Sequence, residues 1–329
     1  MADGCKNPNC TVAQTGICVL NNDPATCPQR LHGDNVEINP VEAALAPPVR
    51  KPRFPSSSAL SPTDVDKLSS GRYCNLIGIL GAPDAGKTAL IVSLYLLLAR
   101  RKLANYRFLN SASITALDEI SRGARRWNQG QPPEQMTSHT ELQDERVPGF
   151  LHLRFRQLST DRRFDFLLPD LPGEWSTSLI DHYRVDRLQF FKSADSIWLT
   201  LDGRQLLEPK LRQQVLHRTN LLFERIASFL APSVPPILLV ISHLDLGRPE
   251  ERNLKALERE AAGFGLTVAP LSVASFSDNN QVSPGTGISD LISETINCLT
   301  PHKSPPFWPS TDTASEQRMA LRYRDRGDQ

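Results

Sequence analysis

Gly81-Ala82-Pro83-Asp84-Ala85-Gly86-Lys87-Thr88 follows directly on the continuous apolar run at residues 73–80 (YCNLIGIL) and precedes a stretch with Leu90, Leu94, Leu97 and Leu98 at helical spacing. The octet fits G-x-x-x-x-G-K-[ST], and its setting of buried strand, glycine turn and helix is the one in which that pattern binds phosphate. Glycines let the backbone curl so that successive N–H groups, and the positive end of a helix expected over residues 87–104, face one anion. The loop from Gly81 through Ala89 is therefore expected to hold phosphate groups, with Lys87 reaching the β and γ phosphates and Thr88 on Mg2+. The competing reading is a glycine-rich turn that binds nothing.

Working outward, strands alternate with helices. Residues 107–114 read as a strand and 116–127 as a short helix. Residues 150–158 (FLHLRFRQL) and 164–168, joined by 159–163, carry a hairpin signal. Strands follow at 197–201, 236–241 and 268–273, with helices at 208–230, 249–262 and 288–299. This order predicts an α/β protein of three layers, a mostly parallel sheet covered on both faces, made mixed by one antiparallel hairpin strand.

A second acidic signal lies at the end of the hairpin, Phe164-Asp-Phe-Leu-Leu-Pro-Asp170-Leu-Pro-Gly173-Glu174. A carboxylate ending a buried strand downstream of the phosphate loop suits a water on Mg2+, and Gly173 lets a backbone N–H approach a γ phosphate. In isolation, D-x-x-G is also a common turn.

The succession GAPDAGKT, DLPGE, SHLD (Ser242, His243, Leu244, Asp245) and SVASF (from Ser272, Val273 and Ala274) resembles the G1, G3, G4 and G5 boxes of the translation-factor-related, Ras-like P-loop GTPases, over residues 71–300. The resemblance implies a P-loop NTPase fold and a guanine nucleotide, GTP or GDP, with Mg2+. Asp245 then accepts hydrogen bonds from the guanine N1 and 2-amino groups, and an N–H of the Ser272-to-Ala274 box meets its O6. The G4 box departs from the family. Ser242 stands for the usual Asn or Thr, and His243 for the lysine whose stem stacks on the base. More narrowly, DLPGEW, SIWLTLDG and the cysteine-rich leader are similar to the bacterial double-GTPase group, found in multigene GTPase-associated systems proposed to act in conflict or defence. That resemblance implies other proteins of the same system as partners.

The family also places a Mg2+-coordinating threonine in switch I, expected within residues 129–147, with Thr137 first and Thr140 second. Glu174 occupies the position of a water-orienting glutamine. A carboxylate there can orient water or accept its proton, although its charge is unfavourable beside a γ phosphate. Arg122, Arg125 and Arg126 are either a charge-neutralising arginine in cis or a solvated helix face.

The ends differ from the middle. Of 26 prolines, nine lie in residues 1–70 and four in 301–329, so the remaining 13 leave the 71–300 block with ordinary density. Residues 34–70 read as a semi-rigid linker, and 301–329 as a disordered tail in which 315–326 can form a helix on a partner. Cys5, Cys10, Cys18 and Cys27 crowd residues 1–33, where four thiolates closing a tetrahedral Zn2+ site would order a module too small for a core. Free or redox-active thiols are the alternative, since the C-x4-C-x7-C-x8-C spacing has no tight C-x-x-C pair. Cys74 and Cys298 read as buried thiols.

With 37 Lys and Arg against 36 Asp and Glu, the net charge of +1 provides no field for nucleic acid or an anionic membrane. The longest apolar run, residues 89–99, is interrupted by a serine and falls short of the roughly 20 residues that cross a bilayer. The start MADGCKNPNC carries no signal segment, and a cytoplasmic protein is expected. Two functions compete with a GTP-hydrolysing switch. One is an ATP-using P-loop enzyme, and the other an adaptor that binds nucleotide with little turnover.

Overall fold

The computed structural model describes residues 5–29, 59–122 and 148–299. The chain divides into two compact units, Met1–Phe54 and Pro55–Gln329.

The larger unit is built on seven strands: β1 Asn75–Gly81, β2 Tyr106–Asn110, β3 Gly149–Gln157, β4 Arg163–Asp170, β5 Ser196–Leu201, β6 Ile237–Ile241 and β7 Val268–Ser272. They form one sheet in the order β2-β3-β4-β1-β5-β6-β7. β4, β1, β5, β6 and β7 are parallel, and β3 is antiparallel to both its neighbours. The expected mixed α/β sheet is thus present, and the hairpin of residues 149–170 supplies its antiparallel strand.

Period-two alternation sorts the central strands onto two cores. Trp198, Leu238 and Val240 point to one face, packing with the helices Lys87–Ala99 (α3), Ile114–Ile120 (α4) and Ile288–Cys298 (α9). Ile197, Leu199, Leu201, Ile237, Leu239 and Ile241 point to the other, beneath Gly173–His182 (α5), Pro209–Leu230 (α7) and Glu251–Gly263 (α8). Both faces being covered, central strands need continuous apolar sequence, which is why ILLVI and SIWLTL read as they do. Fully buried Trp198 is satisfied within its core, donating Nε1–H to Thr295 Oγ1 at 2.9 Å.

Several boundaries differ from expectation: β2 closes at Asn110 rather than residue 114, and α4 runs over Ile114–Ile120 rather than 116–127. Helix α3 stops at Ala99 because Arg101 takes a left-handed φ of 57° and the Lys102 N–H closes back on the Leu97 carbonyl at 2.8 Å. Residues 59–70, read as linker, belong to the large unit. Helix Pro62–Ser69 (α2) starts with a capping box between Ser61 and Asp64, and Leu60 exchanges backbone hydrogen bonds with Phe150. Leu60, Phe150 and Leu167 form a small third core, with Val65 and Leu68 against it. A proline at the first helical position starts α2 rather than breaking it. Cys74 and Cys298 are half-buried, not fully buried.

In the small unit, the helix Val12–Thr15 (α1) ends at Gly16 in the left-handed conformation, and Lys6 N–H to Gln29 O (2.9 Å) joins the ends of the described segment. Among the described residues, no helix is long and apolar enough to cross a membrane. Thr137, Thr140, Arg125, Arg126, most of the expected linker and the tail lie outside the described residues.

Candidate functional site

The phosphate loop leaves the end of β1 and runs into α3. Gly86 occupies the N-cap at φ 89°, a left-handed conformation that suits glycine, and no side chain caps the helix. The first helical bond is from Leu90 N–H to Gly86 O. The amides of Lys87, Thr88 and Ala89 precede it, and they are the donors that a phosphate oxygen satisfies at an uncapped helix start.

Lys87 is 7% exposed and donates Nζ–H to the carbonyls of Gly81 (3.0 Å) and Ala82 (2.8 Å). Burial pushes its ammonium below the ordinary lysine range, while the charges of Asp170, Glu174 and Asp84 pull it back up. Thr88 Oγ1 donates to Asp170 Oδ1 at 3.0 Å, joining the loop to the end of β4. These two oxygens, with phosphate oxygens and water, make the donor set Mg2+ accepts, since Mg2+ is usually held by one or two protein oxygens plus substrate. The rest of the loop shares the cradle: Ala85 is buried, whereas Ala82, Pro83 and Asp84 line its exposed rim.

Gly173 opens helix α5 against the loop. A Cβ there would lie 2.4 Å from Pro83 N and 2.5 Å from Pro83 Cα, so only glycine fits between these backbones. One turn on, buried Ser176 accepts the Gly81 N–H through Oγ at 3.0 Å. Glu174 is exposed in the first turn of α5, where a carboxylate suits the helix dipole, and its charge reaches Lys87.

At the other end, Ser242 is buried, donates Oγ–H to Leu201 O (3.1 Å) and packs beside Gly86. His243 is half-buried in a left-handed conformation, φ 57°. Burial first, then the Arg204 charge, push its imidazole below the ordinary value, against the pull of Asp202 and Asp245. Asp245 Oδ1 is buried and accepts no hydrogen bond among the described residues. Such an orphaned acceptor costs stability unless a ligand donor meets it. Ser272 closes β7, while the Val273 N–H is taken by Ile241 O (2.8 Å) and the Ala274 N–H by Thr286 O (3.0 Å). Two of the three amides expected to meet a base are therefore engaged by the fold.

Three site-lining residues escaped the sequence reading: Ser176, Asp202 and Arg204. Ser176 carries no signal because a serine inside a helix is ordinary. Asp202 and Arg204 follow β5 in LDGR, and a capping aspartate before a short helix was the available hint.

In the leader, the Cys10 thiol is held below its ordinary value by the Val12 and Val19 backbone and by contacts with Cys5 and Cys18. The Asn7 backbone also lowers Cys5, but burial, Cys10 and Cys27 push it up overall. Cys18 is buried, and the other three are half-buried. Nevertheless, among the described residues no group of three or more His, Cys, Asp or Glu side chains is gathered so as to hold a metal ion. The zinc expectation for Cys5, Cys10, Cys18 and Cys27 is thus not supported.

The seven-stranded mixed sheet, with its phosphate loop between β1 and α3, is that of a P-loop GTPase fold. The chain belongs to the Double-GTPase 2 family, which matches residues 75–297. Among solved structures, it is similar to a bacterial selenocysteine-specific elongation factor EF-Sec (14% identity, TM-score 0.35), covering 69% of this chain but only 29% of that one. It is also similar to the Arl6 BBS3 small GTPase from Trypanosoma brucei with a bound nucleotide analogue, GppNp (13% identity, TM-score 0.37, 68% of this chain and 96% of that one). No curated protein matches.

Proposed function

We propose that the protein binds GTP with Mg2+ and hydrolyses it to GDP and phosphate, acting as a molecular switch. The observation that carries this reading is the buried, unsatisfied Oδ1 of Asp245. It lies in the SHLD box after β6, whose Ser242 packs beside Gly86 of the phosphate loop. A carboxylate oxygen in want of donors suits the N1–H and 2-amino groups of guanine, and adenine presents no such pair.

In this reading the amides of residues 85–89 and the Lys87 ammonium hold the β and γ phosphates, and Thr88 and Asp170 position Mg2+. When bound, that ion neutralises phosphate charge. Gly173 senses the γ phosphate through its N–H, and Thr137 supplies the switch I hydroxyl. The O6 contact falls to an N–H of the Ser272-to-Ala274 box, in which those of Val273 and Ala274 are taken by Ile241 and Thr286. Glu174 orients the attacking water. Water forms a bond to the γ phosphorus as the bond to the β,γ-bridging oxygen breaks, and Lys87 offsets the charge that develops there. Loss of the γ phosphate releases Gly173 from its ligand and changes the surface offered to a partner.

The test compares binding of GDP, GTP, ADP and ATP to the full-length chain, with phosphate release measured against Lys87→Ala. Preference for guanine nucleotides with release above that control is expected. Equal binding of ADP favours an ATP-using enzyme, and release no faster than the control favours an adaptor.

The family resemblance supports a place in a bacterial multi-component system, in conflict or defence, with other proteins of that system as partners. Six free cysteines support a reducing, cytoplasmic location.

A further inference from the structure

The G4 box of this chain lacks a lysine, and the cation on that flank of the site comes from elsewhere. Asp202, 5% exposed at the end of β5, caps the short helix Gly203–Leu207 (α6) by accepting the Arg204 N–H at 2.9 Å. The Arg204 side chain folds back on the same carboxylate, with Nε 3.0 Å from Oδ1 and Nη2 3.0 Å from Oδ2. The two-pronged geometry fixes the plane of the guanidinium.

That plane is aimed at the phosphate loop. Nη2 also donates to the backbone carbonyl of Asp84 at 3.4 Å, at a residue in the left-handed conformation, φ 59°. On the opposite side, His243 Nε2 lies 4.0 Å from Asp202 Oδ1. Hydrogen bonds run from Asp84 to Arg204 to Asp202, and His243 lies just beyond their end, so these groups stand between the loop that holds phosphate and the loop that holds the base. The charged groups here are Arg204, Asp202, Asp84 and Asp245, and His243 is disfavoured as a cation by burial and by Arg204 itself. Arg204 is half exposed, and its Nη1 makes none of the hydrogen bonds seen among the described residues. A surface arginine satisfying a buried carboxylate needs no contact with the phosphate loop, whereas this one has it.

We propose that Arg204 is a positioning residue for the nucleotide: it replaces the missing G4 lysine by tying the phosphate loop to the base loop, and so sets how long bound guanine nucleotide stays. The inference rests on the guanine-nucleotide reading above. It differs from the family pattern in placing the cation on α6, three residues past the end of β5.

The experiment measures dissociation of fluorescently labelled GDP from the full-length chain with Mg2+, for the wild type, Arg204→Ala, Arg204→Lys, and Arg204→Ala combined with His243→Lys. Arg204→Ala is expected to dissociate about tenfold faster, the scale of one lost charged hydrogen bond, with Arg204→Lys in between. Adding His243→Lys to Arg204→Ala is expected to restore dissociation to within about threefold of wild type, because a lysine at 243 returns the cation to the base loop. A purely structural arginine gives no such rescue. Dissociation from Arg204→Ala within about twofold of wild type, or no slowing by His243→Lys, overturns the proposal while leaving the guanine reading intact. If Arg204→Ala fails to fold, as judged by thermal melting without nucleotide, Arg204→Lys carries the test, and dissociation indistinguishable from wild type overturns it. No binding of labelled GDP by the wild type overturns both readings.

Discussion

The phosphate end and the base end of the site are built on different principles. At the phosphate end the side chains are engaged and the backbone amides of Lys87, Thr88 and Ala89 are left for a ligand: Lys87 is on two carbonyls, Thr88 on Asp170, Gly173 against Pro83, and the Gly81 amide on Ser176. At the base end Asp245 keeps an unsatisfied oxygen, His243 stands for lysine, and the Ala274 amide is tied to Thr286. Phosphate is held mainly by backbone shape, which a short pattern of glycines and one lysine specifies completely. A base is read by a few side chains, which other residues can replace from other elements. The first end tolerates little change, and the second can be rebuilt.

The largest effect that would sharpen this contrast is expected at the base end. Asp245→Asn turns an acceptor into a group that presents a donor, so GDP binding should weaken by about a hundredfold, with xanthosine diphosphate gaining in its place. Titrating both nucleotides checks it, and unchanged preference breaks the assignment of Asp245 to the base. Next is Gly173→Ala. Its Cβ meets the backbone of Pro83, which cannot yield as a side-chain tip would, so a loss of about 1–3 kcal/mol in folding stability is expected by chemical denaturation. The same variant should lose discrimination between GTP and GDP. A neutral result would mean the glycine does not rest on the loop.

The smallest effect concerns His243. Its folded pKa lies below the unfolded value, so the unfolded chain binds the proton more readily. The stability this neutral histidine provides is full above the ordinary value of 6.5 and is lost as the pH falls through the lowered one. The melting temperature of wild type should therefore drop more between pH 7.5 and 5.5 than that of His243→Gln. Parallel curves would show that the base end carries no such histidine.

Much of the fold was legible because its signals are local. Buried strands such as ILLVI and the hairpin of residues 149–170 announce themselves by continuous or alternating apolar residues. Helix α5 was missed because it begins at Gly173 and carries Trp175, Ser176 and Thr177, residues of indifferent helix propensity. Its stability comes from packing Trp175, Leu179 and Ile180 into the core, which no local pattern records. Helix α2 was hidden by the proline count of its neighbourhood, although Ser61-Pro62 with Asp64 is a helix start. At the site, the phosphate loop is a contiguous motif and was read directly. Asp202 and Arg204 were not, since their link to Asp84 spans about 120 positions and exists only once β5 lies beside β1.

Trp175 gives the contact of Gly173 with the phosphate loop an optical handle. It lies two residues beyond Gly173, 6% exposed, with the Arg187 guanidinium 5.4 Å above its ring. An indole held between an apolar core and a cation changes its emission when either neighbour shifts. Gly173 rests on the phosphate loop at the start of the helix that carries the indole, so the protein holds a fluorophore of its own two residues from that contact.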